Sequence, residues 1–234
     1  MSLLSVAVAE VSGNFSLSVR TVPYAFLIGD EAFSGFLIGA HRNVDYRVAA
    51  LIHNRHGIDG GLIIGMDNTG RPFVHDNDIA NRRLTQGPAI GSLTGSEVTS
   101  GLRLQLDAST NDDNSCTLNV FVTNENSEIL SVTAITINRD RLLCHMALVA
   151  NPGNTATGHW FNELKGSGDM LTVYPGHEFG PILFASYTTS RKVLTVNSQL
   201  PPLCLDAWHD LRLEVQTMEF TWITLVVGTI NPLS

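Results

Sequence analysis

Short apolar runs recur about every ten residues along this chain, cut apart by Gly, Asn and Asp. This rhythm constrains the fold more than any other feature. The stretch Tyr46 to Asp78, YRVAALIHNRHGIDGGLIIGMDNTGRPFVHDND, shows it most clearly. Val48–Ile52, Gly61–Met66 and Pro72–Val74 are short and rich in branched aliphatics. HNRHGID and DNTG separate them, and the second puts Gly70 where a positive φ costs little. Phe15–Val19 and Leu102–Leu106 alternate apolar and polar with period two, so each has one buried and one wet face. Leu102–Leu106, Leu118–Val122 and Leu130–Ile137 read as an antiparallel meander. No heptad, no internal repeat and no amphipathic helix beyond one turn is present.

Further strands are expected at Leu3–Ala9, Ala25–Ile28 and Phe33–Ile38, and around Trp160-Phe161 and Met170–Tyr174, which flank a Gly-Ser-Gly turn at 166–168. Leu142–Ala150 is apolar but ambiguous between helix and strand. Ile79 to Ser100 is polar, rich in Gly, Ser and Thr, and reads as a long loop. Pro175-Gly176 marks a break in composition. Beyond it Ile182–Ala185, Val193–Val196, Leu211–Val215 and Trp222–Val227 are strand candidates. The expected fold is all-β: a concanavalin A-like, jelly-roll or lectin-like two-sheet antiparallel sandwich over residues 1–175. A small, incomplete immunoglobulin-like β unit over 176–234 follows it.

With 234 residues the chain can bury a large core. Charged residues are 15% of it and apolar residues 44%, so it is not a disordered polyampholyte. The net charge is −8, and no basic cluster exceeds Arg82-Arg83 or Arg191-Lys192. Nucleic acid is therefore not an expected partner. No apolar run has the length of a membrane helix, so no membrane partner is expected either. The start, MSLLSVAVAE, lacks a basic leader region, and the chain as it stands is expected in the cytoplasm. Cys116, Cys144 and Cys204 have no metal-knuckle spacing and read as buried or half-buried free thiols.

One group of side chains suggests chemistry: His53, His56, Asp59, His75, Asp76 and Asp78. If Ala49–Ile52, Gly61–Met66 and Phe73–His75 pair as a meander, His53 and His56 can approach His75 across the sheet. Three imidazoles and a carboxylate would hold zinc with one position open to water. His75-Asp76-Asn77-Asp78 offers oxygen ligands of the kind calcium takes. The same residues are ordinary at solvated turns, and His-x-x-His on a turn is far less specific than His-Glu-x-x-His on a helix. Trp160 beside His159, near a Gly-rich turn, is the candidate aromatic contact for a sugar. No Gly-x-Ser-x-Gly elbow and no suitably spaced carboxylate pair points to a hydrolase nucleophile or a glycosidase.

The segment Phe179 to Leu203, FGPILFASYTTSRKVLTVNSQLPPL, resembles a stretch of alkaline phosphatase D-like (PhoD-like) metallophosphoesterases. Gly180-Pro181-Ile182-Leu183, Tyr187-Thr188 with Ser190, and Gln199-Leu200-Pro201-Pro202-Leu203 carry the resemblance. Gly35-Phe36, Ala49 to Gly65 and Trp160-Phe161 resemble the sandwich region of the same proteins. Thr195-Val196-Asn197-Ser198 departs from the family's Lys-Leu-Thr-Ala. The resemblance implies a concanavalin A-like sandwich, then an immunoglobulin-like domain, then a catalytic domain that these residues do not include. It also implies further strands before Met1 and after Pro232. No matching position is catalytic in that family, so no catalytic residue is assigned.

Two readings follow. The first is a non-catalytic binding or structural module with a glycan or a neighbouring catalytic domain as partner. The second is a small metal-dependent hydrolase of phosphate or carboxyl esters built on the His/Asp group. Open sheet edges, with residues 180–234 as the main contributor, make a homo-oligomer expected.

Overall fold

The computed structural model describes residues 2–23, 32–42, 44, 57–79, 82–90, 101–151, 153, 159–175, 184–199 and 211–228. The chain divides into two units, Met1–Phe179 and Gly180–Ser234.

Twelve strands build the first unit. They are β1 Ser2–Val8, β2 Asn14–Pro23, β3 Phe33–Ala40, β4 Leu62–Asp67, β5 Pro72–Asp76, β6 Arg82–Gln86, β7 Leu102–Thr110, β8 Ser115–Thr123, β9 Ile129–Asn138, β10 Cys144–Asn151, β11 His159–Ser167 and β12 Leu171–Val173. They form a seven-stranded sheet in the order β12-β1-β10-β3-β4-β5-β6 and a five-stranded sheet in the order β11-β2-β7-β8-β9. Neighbouring strands are antiparallel throughout. The chain crosses between the sheets after β1, β2, β6, β9, β10 and β11. This is the all-β, two-sheet antiparallel sandwich expected from the sequence rhythm. The meander β7-β8-β9 forms as read, with Leu104 opposite Val122 and Leu118 opposite Ile135.

Alternation sorts the five-stranded sheet into two faces. Phe15, Leu17 and Val19 of β2, Leu102, Leu104 and Leu106 of β7, and Leu118, Val120 and Val122 of β8 point inward. They pack against Phe36, Ile38, Leu62, Ile64, Met66 and Met146 of the other sheet. Each such side chain contributes about 1.5–3 kcal/mol by leaving water. In β3 and β4 the outward residues are buried as well, which is why both strands read as unbroken apolar runs. Buried hydroxyls also join the sheets: Thr21 of β2 donates to Ser34 of β3 at 3.0 Å.

Three expectations are corrected. The segment from Ile79 to Ser100 is not one long loop, because Arg82–Gln86 forms β6 and pairs with β5. Its sequence, RRLTQ, carries no apolar face because it is an exposed edge strand. The strand β4 is flanked by β3 and β5, so the place assumed for Ala49–Ile52 beside it is taken. The glycine turn shifts: β11 continues through Gly166 to Ser167, and the chain turns at Gly168 instead. A side chain at Gly168 would lie 2.3 Å from the Asn14 carbonyl oxygen, and its φ is +119°. The ambiguous Leu142–Ala150 resolves into the end of a 3-10 turn, Arg139–Leu142, and β10. The expected strands at Ala25–Ile28 and Val48–Ile52 lie outside the described residues.

The second unit carries two hairpins, β13 Phe184–Ser190 with β14 Val193–Gln199, and β15 Leu211–Gln216 with β16 Trp222–Gly228. Cys116 is a buried free thiol and Cys144 a half-buried one. Among the described residues no helix is long and apolar enough to cross a membrane.

Candidate binding surface

The His/Asp group meets the structure where β5 ends. His75 and Asp76 are consecutive on a strand and so point to opposite faces. His75 shares the outward face with Phe73, on which it stacks at 4.2 Å between ring centres, tilted by 36°. Its Nε2 accepts from Nε of Arg83 at 2.9 Å. Burial, together with the Arg83 charge, lowers its pKa to about 4, so the imidazole is neutral at pH 7.

On the other face a guanidinium gathers the carboxylates. Arg141 donates to Asp76 at 2.7 Å and lies 3.2 Å from Asp78. Arg82 lies 3.8 Å from Asp76, and the Asp78 amide donates to it at 3.1 Å. Burial alone pushes the Asp76 carboxyl up. The Arg141 and Asp78 hydrogen bonds and the two arginine charges outweigh it and hold the carboxyl below its usual range. Arg141 is held above its ordinary value in turn, chiefly by the Asp76 hydrogen bond, with Asp78 and Asp59 adding charge. Asp78 also accepts from the Gly60 amide at 2.8 Å. Asp59 and Asp78 line a cavity of about 250 Å³ with Arg42, Asp140 and Arg141.

The structure therefore brings Asp59, Asp76 and Asp78 together around an arginine and turns His75 away from them. His53 and His56 lie outside the described residues. Among the described residues no group of three or more His, Cys, Asp or Glu side chains is arranged to hold a metal ion.

His159 and Trp160 open β11, opposite Pro23 and Val22. Burial lowers the His159 pKa, and its Nδ1 has no hydrogen-bond partner among the described residues. The Trp160 ring lies over Gly101, where an added Cβ would meet Cη2 at 2.8 Å. Part of the indole is thus committed to packing, and Gly101 is the residue that lets it approach.

A different surface gathers polar side chains at regular spacing: the outward face of the five-stranded sheet. Register places Ser167, Ser16, Asp107 and Asn119 in one row across β11, β2, β7 and β8. Lys165, Ser18, Gln105 and Phe121 form the next row, and Arg20 pairs with Arg103 in the one after. Asp107 organises the first row. It accepts from the Ser16 hydroxyl at 2.6 Å and from the Gln105 amide at 3.0 and 3.1 Å. Beside it Asn14, Ser16, Asp107, Ser109, Asn119 and Ser167 line a shallow depression of about 230 Å³.

At the other end Glu163 accepts from Arg20 at 2.7 Å and from Arg103 at 2.6 Å. Hydrogen bonds from both, and their charges, hold its carboxyl down to about 2. Glu163 reaches them because β11 bulges between Asn162 and Lys165, where its φ is +51°.

The chain is similar to the metal-free form of lectin I-B4 from Griffonia simplicifolia, with a TM-score of 0.41 and 11% identity over 70% of this chain and 72% of that chain. It is similar to a Lotus tetragonolobus seed lectin with a TM-score of 0.35 and 12% identity, over 70% and 73% of the two chains. No family model and no curated protein matches the chain in sequence.

Sequence reasoning passed over this face. Period two shows that the odd positions of Phe15–Val19 and the even ones of Leu102–Leu106 are buried and the others wet, and by itself says nothing more of the wet face. The available signal was chemical: the positions between them are Ser, Arg, Gln and Asp on adjacent strands rather than the Lys and Glu of a merely solvated face.

Proposed function

We propose that this chain is a non-catalytic binding module whose ligand is a glycan, held on the outward face of the five-stranded sheet. One observation carries the reading: Ser16, Asp107 and Asn119 line one shallow depression, where hydrogen bonds from Ser16 and Gln105 fix the Asp107 carboxylate. A sugar ring offers hydroxyls that both donate and accept, and a fixed carboxylate flanked by amides and hydroxyls matches that pattern. The depression suits a single ring, being smaller than the roughly 300–1,000 Å³ of pockets for drug-sized ligands.

The resemblance of Phe179–Leu203 supports a finer reading, in which the chain is the accessory region of a PhoD-like phosphoesterase and residues 176–234 begin an immunoglobulin-like domain. Its test is the coding sequence beyond Ser234, where a metallophosphatase domain is expected. The same reading expects self-association, and a monomeric mass by light scattering at working concentration overturns that part.

The glycan reading is tested by screening the protein on an array of oligosaccharides and titrating the best ligand calorimetrically. Asp107→Ala and Asn119→Ala should each weaken binding by about tenfold to a hundredfold, as expected for a lost hydrogen bond to or from a charged or oriented group. Both variants should keep the wild-type melting temperature to within a few degrees. Undiminished binding by both variants sinks the assignment of this face.

A further inference from the structure

The outward face changes character along its strands. The row of Ser16, Asp107 and Asn119 presents neutral hydrogen-bonding groups around one carboxylate. Two residues along each strand, about 7 Å away, Phe121 presents a half-buried ring between Gln105 and Val132. Two residues further, Arg20 and Arg103 face outward around Glu163, with Lys165 nearby on β11. Arg20, Arg103 and Lys165 against Glu163 leave this end positive in a chain whose net charge is −8.

Glu163 accepts from Arg20 Nη1 and from Arg103 Nη2, and so fixes the two guanidiniums of this register pair against one carboxylate. Arg103 also lies 3.5 Å from the Ser18 hydroxyl, and the two arginine side chains are only 24% and 23% exposed. They are ordered, half-desolvated donors rather than loose surface charges.

We propose that the ligand is an acidic oligosaccharide laid along the strands. One ring places its hydroxyls in the Ser16–Asp107–Asn119 depression. A ring further along rests on Phe121, and the carboxylate or sulfate it carries meets Arg20 and Arg103. Glu163 is a positioning residue that fixes the two guanidiniums. The proposal rests on the glycan reading of this face and adds to it the charge and the length of the ligand. The two ends of the site are four residues, about 14 Å, apart along the strand, so a monosaccharide cannot engage both.

The test titrates the full chain with neutral, uronate-containing and sulfated oligosaccharides of equal length, each at two salt concentrations. An acidic ligand is expected to bind about tenfold or more tighter than the neutral one, with a preference that shrinks as salt rises. The uronate and sulfate arms identify which anion is taken. Arg103→Gln and Arg20→Gln should each bring the acidic ligand towards the neutral level. Lys192→Gln, on the turn of the β13–β14 hairpin, should leave the preference intact. Two arginine variants are used so that a folding defect in one, visible in its melting curve, leaves the other informative. Equal binding of neutral and acidic ligands overturns the proposal but leaves the glycan reading standing. Absence of binding to every sugar overturns both.

Discussion

Asp76 keeps its charge at 6% side-chain exposure chiefly because Arg141 reaches it from a site 65 residues away in sequence, with Arg82 and the Asp78 amide assisting. Removing one partner of such a pair leaves the other charge stranded, a loss of about 3–5 kcal/mol. Arg141→Ala should show part of that loss in urea denaturation, since Arg82 and the Asp78 amide remain on Asp76, and the double variant Arg141→Met with Asp76→Leu should recover much of it. Acid acts on the same pair. The folded Asp76 carboxyl titrates below its usual range, so its contribution is complete at neutral pH and disappears as the pH falls through the folded value. His75 adds a second acid-sensitive step. Its folded pKa is about 4 against an ordinary 6.5, so between those values the unfolded chain takes up a proton that the folded chain refuses. Stability should therefore decline from pH 6.5 towards pH 4 in the wild type, and His75→Gln should flatten that part of the profile. The sequence singled out both residues. It could not supply Arg141 or Arg83, because a charge partner is chosen by the fold and not by spacing along the chain.

At the scale of elements, legibility followed burial. The strands β7 and β8 alternate because one face is buried and the other wet, so their existence and pairing were readable from period two alone. The edge strand β6 packs only Leu84 against the core and is otherwise held by backbone bonds to β5 and by the 2.9 Å Thr85–Thr133 contact to β9, so its sequence resembles a loop. The central strands β3 and β4 are constrained differently. Gly35 and Gly65 sit side by side, and the Phe73 ring crowds Gly65. A Cβ on Gly35 would lie 2.3 Å from the Ile64 carbonyl oxygen and 2.5 Å from the Gly65 Cα. Backbone cannot yield there without parting the two strands. Gly35→Ala should cost at least the roughly 1–3 kcal/mol of an overpacked core, seen as a lowered denaturation midpoint with unchanged slope. An unchanged midpoint would show that β3 and β4 do not pair in this register.

The two units differ in how their strands are held. In the first, Leu104, Val120 and Ile64 are fully buried between the sheets, and opening any of them exposes a shared core. In the second, Tyr187 is 74% exposed, Trp222 63% and Val226 55%. A ribbon of two strands without a buried face is marginal in water. This difference was not visible in the sequence, because Trp222–Val227 alternates and branches as a core strand does. Amide exchange separates the two cases. Opening free energies range from near zero for poorly buried segments up to the global value for core strands. Amides of β7 and β8 should exchange only when the whole first unit unfolds, and should slow or quicken with urea as global stability does. Those of β13–β14 and β15–β16 should exchange orders of magnitude faster, through local openings that scarcely depend on denaturant. If mass spectrometry finds the β15–β16 amides as slow as those of β7, their apolar faces are covered in solution.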